Sequence, residues 1–293
     1  MPPSHILLAV LVAAIWGLNF VVIRWGLDEL PPLLFTALRF AVAALPLPLL
    51  GFRPPVAWRY IVLIGMSLGA VQFGLLFTGM AIGMPAGLAS IVVQSQAFFT
   101  VLLAALLLRE RPKARQLAGL AAAAVGILLI AVNLPGGGPL LGLVCCLGAG
   151  LSWAVANLAI KRAQATDMLR LMVWMSLVPP LPLLALSLVI DGPERTVEAL
   201  AHMDMTGIGA VLFNAVGATI VGYGLWSWLL RHHSASLVAP FSLLVPVFGM
   251  SSAALLLGEA MTPVKLVACA LILAGLALTV LPARKPPVVA PAE

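Results

Sequence analysis

Ala104-Ala105-Leu106-Leu107-Leu108, with Glu110 two residues on, returns 149 positions later as Ala253-Ala254-Leu255-Leu256-Leu257 with Glu259. The same shift takes Phe99 to Phe248, Leu117 to Leu266 and Gly126 to Gly275. Leu and Ala identities weigh little in so apolar a chain; the Phe, Glu and Gly identities weigh more. Near the start of each half the shift is 137, which takes Trp16 to Trp153 and Arg24 to Lys161. A polar insert around 191–205 accounts for the twelve-residue difference. The chain reads as one sequence written twice, with Pro135-Gly136-Gly137-Gly138-Pro139 as the joint.

Composition says where such a chain can fold. Hydrophobic residues make up 62% and charged residues 9% of its 293 positions, and the mean hydropathy is +1.14. A soluble domain carries roughly 25% charged residues. Spanning a hydrocarbon core takes about 20 apolar residues per helix. Ten stretches meet that need, at about 6–25, 33–51, 58–78, 86–108, 115–132, 139–160, 169–190, 206–230, 235–257 and 264–281. Residues 6–23 read as a retained span rather than a signal peptide, because Arg24 and Asp28-Glu29 follow with no small-residue cleavage site. The fold class expected is therefore all-α integral membrane, with ten transmembrane helices. They divide into a first five-helix repeat over 1–134 and a second over 138–283, with a disordered cytoplasmic tail at 284–293. Five is odd, so the two copies enter the bilayer in opposite orientations, the arrangement of carriers that work by alternating access.

Alternate loops hold twelve of the sixteen basic residues, from Arg53 and Arg59 through the Arg109–Arg115 cluster to Arg284 and Lys285. The opposite loops hold Asp28, Glu29, Asp191, Glu194, Glu198 and Asp204. The positive side faces the cytoplasm, so both termini are expected there, in a bacterial inner membrane. The net charge of +6 is dispersed among short loops and does not form a nucleic-acid face. Cys145, Cys146 and Cys269 show no zinc or redox spacing. No phosphate-binding G-x-x-x-x-G-K occurs. No metal or other cofactor is expected. Ser95 and Ser242 have no mid-span His or carboxylate beside them, which argues against an intramembrane enzyme.

Several segments resemble a known family. They are Trp16-Gly17-Leu18-Asn19-Phe20, Leu38-Arg39-Phe40, Gly83-Met84-Pro85-Ala86-Gly87-Leu88-Ala89-Ser90 and Gln94-Ser95-Gln96-Ala97-Phe98-Phe99, then Gly222-Tyr223-Gly224-Leu225-Trp226 and Ala239-Pro240-Phe241-Ser242-Leu243-Leu244-Val245-Pro246. Nearly end to end, the chain is similar to the EamA family of the drug/metabolite transporter superfamily. Within it, the chain looks most like exporters of the cysteine and O-acetylserine type and related exporters of aromatic amino acids. The resemblance implies export of small amphipathic metabolites, proton-linked or driven by their own gradient. Amino acids are the implied small-molecule partners beside the lipid bilayer. A functional monomer is expected, because both repeats lie in one chain.

Polar side chains inside spans are costly unless paired or facing a water path, so they mark the candidate substrate site. Arg39 offers two parallel donors to a carboxylate; its structural alternative is an ion pair with Asp28 or Glu29. Gln72 and Gln94 bring amides to mid-span, as do Asn19, Asn157 and Asn214; an amide meets an ammonium with its oxygen and a carboxylate with its nitrogen. Gln96 lies two residues from Gln94, about 200° around a regular helix, so the two are expected on different surfaces. Trp16 and Trp153 are repeat mates, and Tyr223 and Trp226 share a helix face; these aromatics suit an apolar side chain or an ammonium. Pro240 and Pro246 remove donors from the ninth span. His232 and His233 read as solvated loop residues. All ten Asp and Glu lie at span ends, in loops or in the tail, so no central carboxylate is available to carry a proton. The alternative cargo is a lipophilic cation, an aromatic drug or another metabolite.

Overall fold

The computed structural model describes residues 1–109, 111–134 and 138–280. Glu110, the glycine joint at 135–137 and the tail expected to be disordered lie outside the described residues. Among the described residues all regular structure is helical. The helices are α1 (Pro3–Glu29), α2 (Pro32–Leu50), α3 (Trp58–Ala81), α4 (Ala86–Leu107), α5 (Ala114–Asn133), α6 (Gly138–Ala163), α7 (Met168–Met175), α8 (Pro180–Ile190), α9 (Pro193–Ala201), α10 (Met205–His232), α11 (Ala239–Leu257) and α12 (Pro263–Val280).

Eight of these, α1 to α6 with α10 and α11, are long and apolar enough to cross a bilayer, and the α7–α8 pair makes a ninth if taken as one span. The continuous span expected at 169–190 is instead bent by 41°. The break falls at Pro179-Pro180, where two successive residues have no N–H to donate. The last expected span appears as the apolar helix α12, which ends at the edge of the described residues. Large apolar side chains face outward, among them Leu106, Val189 and Leu255, all more than three-quarters exposed. In water that surface would be prohibitive; in hydrocarbon it is the solvent-matched one.

The helices are irregular in matched places. α3 winds as a π-helix over Gly65–Gln72, and α10 does so over Phe213–Val221. α4 tightens to a 3-10 turn at Val93–Ser95, and α11 starts as one at Ala239–Leu243, where Pro240 interrupts the ladder. In each π segment a carbonyl is taken by a side chain from another helix. Trp16 Nε1 on α1 donates to Ala218 O at 2.9 Å, and Ser152 Oγ on α6 donates to Ser67 O at 2.7 Å.

α5 and α12 cross so closely that backbone meets backbone. A Cβ at Gly119 would lie 2.6 Å from Gly275 O, and one at Gly275 would lie 2.5 Å from Gly119 O. Small residues at the crossing permit the van der Waals contact that replaces the hydrophobic effect inside a membrane. At the end where the sequence places the cytoplasm, His232 is exposed as expected but is the last residue of α10, and His233 beyond it is half-buried. His5 Nδ1 and His233 Nε2 are 2.7 Å apart, and the His232 ring stacks on Trp228 at 4.1 Å. At the other end of α10, Asp204 caps the helix by accepting from Thr206 N at 2.6 Å and Gly207 N at 3.1 Å. Cys145, Cys146 and Cys269 are free thiols.

Two outcomes follow for stability. Gly119→Leu forces side-chain atoms into the α12 backbone and lowers the thermal midpoint in detergent, at a cost of about 1–3 kcal/mol or more; an unchanged midpoint would contradict the close crossing. The backbone donors, Gly207 first and then Thr206, hold the Asp204 carboxyl below its usual range. A depressed carboxyl stabilises above its unfolded value and loses that contribution as pH falls through the lowered one. Asp204→Ala therefore lowers the midpoint at neutral pH, and the difference from wild type closes on acidification.

Candidate functional site

A cavity of about 340 Å³ lies among α1, α2, α3, α4, α6, α7, α10, α11 and α12. Its floor follows from the local irregularities. A regular α-helix would engage every interior carbonyl with the residue four on; here the π turns of α3 and α10 and the 3-10 turn of α4 contribute Leu68, Gln72, Ala218, Val93 and Gln94 to the lining. Trp16, Asn19, Arg39, Gln72, Gln94, Trp153, Asn157, Tyr223 and Trp226 all line it. Of the residues anticipated from sequence, Asn214 alone is not in the lining. Its Nδ2 donates to Ala210 O at 3.0 Å within α10, and its carbonyl accepts from Thr219 Oγ1 at 2.9 Å.

Among the described residues Arg39 is the one charged residue of the lining, and it is only 2% exposed. The pairing with Asp28 or Glu29 anticipated as its structural alternative does not occur, because Asp28 bonds Arg24 at 2.6 Å on the same helix turn. The guanidinium instead lies over the Phe73 ring, 3.7 Å from its centroid, with the Phe40 ring 5.2 Å away. Nη2 donates to Thr219 Oγ1 at 3.1 Å, and the Thr219 hydroxyl in turn donates to Asn214 O. Nε and Nη1 are buried without a hydrogen-bond partner. A buried guanidinium with two unused donors and an aromatic face behind it is preorganised for an anion. The acceptors are also unspent: Asn19 Oδ1 and Gln72 Oε1 are buried and unpartnered.

Gln94 and Gln96 both line the cavity, contrary to the expectation from a regular helix. The 3-10 turn at Val93–Ser95 runs between them and breaks the 100° step on which that expectation rested. Gln96 also joins a neighbouring helix, as its Oε1 accepts from Asn157 Nδ2 at 2.7 Å. Asn157 Nδ2 lies 3.2 Å from Thr100 Oγ1 as well. The aromatic side is a cluster: the Trp16 ring lies 5.2 Å from Tyr223 and 5.3 Å from Trp226, centroid to centroid. Phe73 and Thr219 were missed from the sequence. Their signal was spatial, since an ordinary phenylalanine and threonine in apolar spans gain meaning only once Arg39 lies between them.

The cavity extends past Ile160, Met168 and Leu230, toward the end where the basic loops lie. At the other end Glu259 closes α11 onto the start of α4. Its carboxylate accepts from Ala86 N at 2.6 Å and Gly87 N at 3.2 Å, two otherwise open donors at a positive helix end.

The Thr219 contact is directly measurable. Thr219→Val keeps the shape and removes the one hydrogen bond to the Arg39 guanidinium, at a cost of about 1.5–3 kcal/mol for a bond to a charged group. The variant should unfold at lower temperature than wild type. An equal midpoint would mean that the guanidinium does not depend on that hydroxyl.

Comparison with known proteins agrees with this architecture. The chain is 44% identical over 279 residues to a "probable amino-acid metabolite efflux pump" of Salmonella typhimurium, covering 93% of both chains. It is 41% identical, with the same coverage, to a protein of that description from Escherichia coli. A solved crystal structure at 19% identity superposes with a TM-score of 0.63, covering 95% of this chain and 96% of the other, which shows a shared fold. The model of the EamA-like transporter family matches residues 3–132 and 140–281. With nearly the whole chain matched, this multi-pass membrane protein belongs to the EamA-like transporter family, whose members are transporters and not enzymes.

Proposed function

We propose that the chain is a secondary exporter of amino acids and related small metabolites across the bacterial inner membrane. It works as a monomer of ten spans in two inverted five-helix repeats. The observation that carries the reading is Arg39, buried on Phe73 with two unspent donors, facing unspent amide oxygens across an aromatic-walled cavity. A carboxylate docks on Nη1 and Nε, Asn19 and Gln72 accept from the N–H groups of the cargo, and the aromatic and methionine walls take its side chain. The names of the two relatives above support the cargo class.

The repeat reading is supported by the matched irregularities, π in α3 and α10 and 3-10 in α4 and α11, and by the two segments of the family match. With the basic loops on the cytoplasmic side, the cavity opens inward and the Glu259 contact seals the outer end. Alternating access then needs α11 and α4 to part at Glu259 while the cytoplasmic ends close. A lipophilic cation is the weaker cargo, because the only charge in the lining among the described residues is positive.

Flux in proteoliposomes tests the reading. Vesicles loaded with cysteine, threonine, methionine or phenylalanine should show saturable exit of at least one, absent from protein-free vesicles. Arg39→Gln should lower kcat/KM by about ten- to a hundred-fold, the scale of one lost charge-assisted contact, and Arg39→Lys should restore little, since a point charge lacks the planar fork. Glu259→Ala should change exit rate with little change in equilibrium binding. Silence toward every amino acid, with exit of an organic cation, would overturn the proposal.

A further inference from the structure

We propose that the carrier selects cargo with net negative charge, a carboxylate whose nitrogen is uncharged, and that the membrane potential drives its exit. This deepens the amino-acid reading above and rests on it. Among the described residues the central cavity is lined by one formal charge, that of Arg39, and by no Asp or Glu. A zwitterion on Arg39 cancels the guanidinium and leaves an ammonium in its place, so the filled site keeps a buried positive charge. A carboxylate with a neutral nitrogen leaves the filled site neutral, the state that a low-dielectric interior favours. Asn19 Oδ1 and Gln72 Oε1 are neutral acceptors: they satisfy an amide N–H fully but cannot offset the desolvation of a whole positive charge.

A second cavity gives the same sign independently. It measures about 230 Å³ at the ends of α4, α5 and α6, and Arg111 and Lys161 line it with Thr100 and Gln116. No carboxylate among the described residues lines it either. The loop at 109–115 holds four basic residues against one Glu, so its balance is positive with Glu110 counted. Asn157 belongs to both cavities and is bonded to Gln96 and Thr100, so it is the partition between them. An anion drawn to this cationic cavity on the basic-loop side meets Asn157 and then Arg39.

The energetics follow. An anion leaving a compartment that is negative inside moves down the electrical gradient. For one elementary charge, a potential of about 100 mV shifts the distribution about fifty-fold. No proton needs to be carried, which fits a chain whose carboxylates all lie outside mid-membrane.

The test is exit of three forms of one side chain from proteoliposomes: N-acetylmethionine, methionine and methionine amide. Potential is set by potassium gradients with valinomycin, and protein-free vesicles correct for leak. The proposal expects N-acetylmethionine to leave fastest and methionine amide slowest, with N-acetylmethionine exit accelerated by an inside-negative potential and carrying one charge per molecule. Arg111→Gln should raise its half-saturation by about three-fold and flatten its salt dependence, the signature of lost steering. Methionine leaving faster than its N-acetyl form would overturn the charge selection and leave the amino-acid reading standing. Exit of N-acetylmethionine unaffected by potential would overturn the electrical drive. Exit of the amide alone would overturn this proposal and the amino-acid reading together.

Discussion

The guanidinium of Arg39 on the face of Phe73 is the constraint around which the core of this protein is arranged. Moving such a charge from water to a bilayer interior costs several kcal/mol even after relaxation. The protein supplies partial compensation: the Phe73 ring at 3.7 Å, Phe40 behind it, and one hydroxyl from Thr219. Thr219 can serve because it sits in the π segment of α10, where the widened turn places its hydroxyl between Asn214 O and the guanidinium. The compensation stops short of an ion pair. On the proposed function, that shortfall is what a ligand carboxylate makes up, turning the cost of burying Arg39 into affinity.

The irregular turns have a second use. On the proposed alternating access, helices part and close again, which long uninterrupted ladders and ion pairs would resist. The contacts that would have to open sit at the ends: Glu259 on the first turn of α4, and His5 against His233 at the opposite end. Between them the lining is held by single hydrogen bonds, such as Trp16 to Ala218 and Asn157 to Gln96. The α5–α12 crossing, by contrast, is tight and apolar, and only its neighbour Leu276 among the described residues of these two helices reaches the cavity lining.

Much of this was legible in the sequence because membranes make few exceptions. Apolar stretches of bilayer length must be helical, and polar residues inside them need a reason, so Arg39, Asn19, Gln72 and Gln94 stood out from composition alone. The break in the span at 169–190 has its signal in Pro179-Pro180, which the apolar run around it masks. The pitch changes were not legible: nothing in Gly65–Gln72 or Phe213–Val221 distinguishes a π-helix from an α-helix by residue type, and Gln94 and Gln96 were therefore assigned to different surfaces. The pairing of Asp28 also went to the nearer cation. Arg24 is one turn away on the same helix, whereas Arg39 is locked under Phe73 and Thr219.

The most direct measurement is a structure of the protein with a bound amino acid or its N-acetyl form. The account predicts the carboxylate within hydrogen-bond distance of Arg39 Nη1 or Nε, the guanidinium still stacked on Phe73, and an amide oxygen of Asn19 or Gln72 turned to the ligand nitrogen. A ligand held elsewhere, with Arg39 turned to a carboxylate of the protein itself, would contradict it.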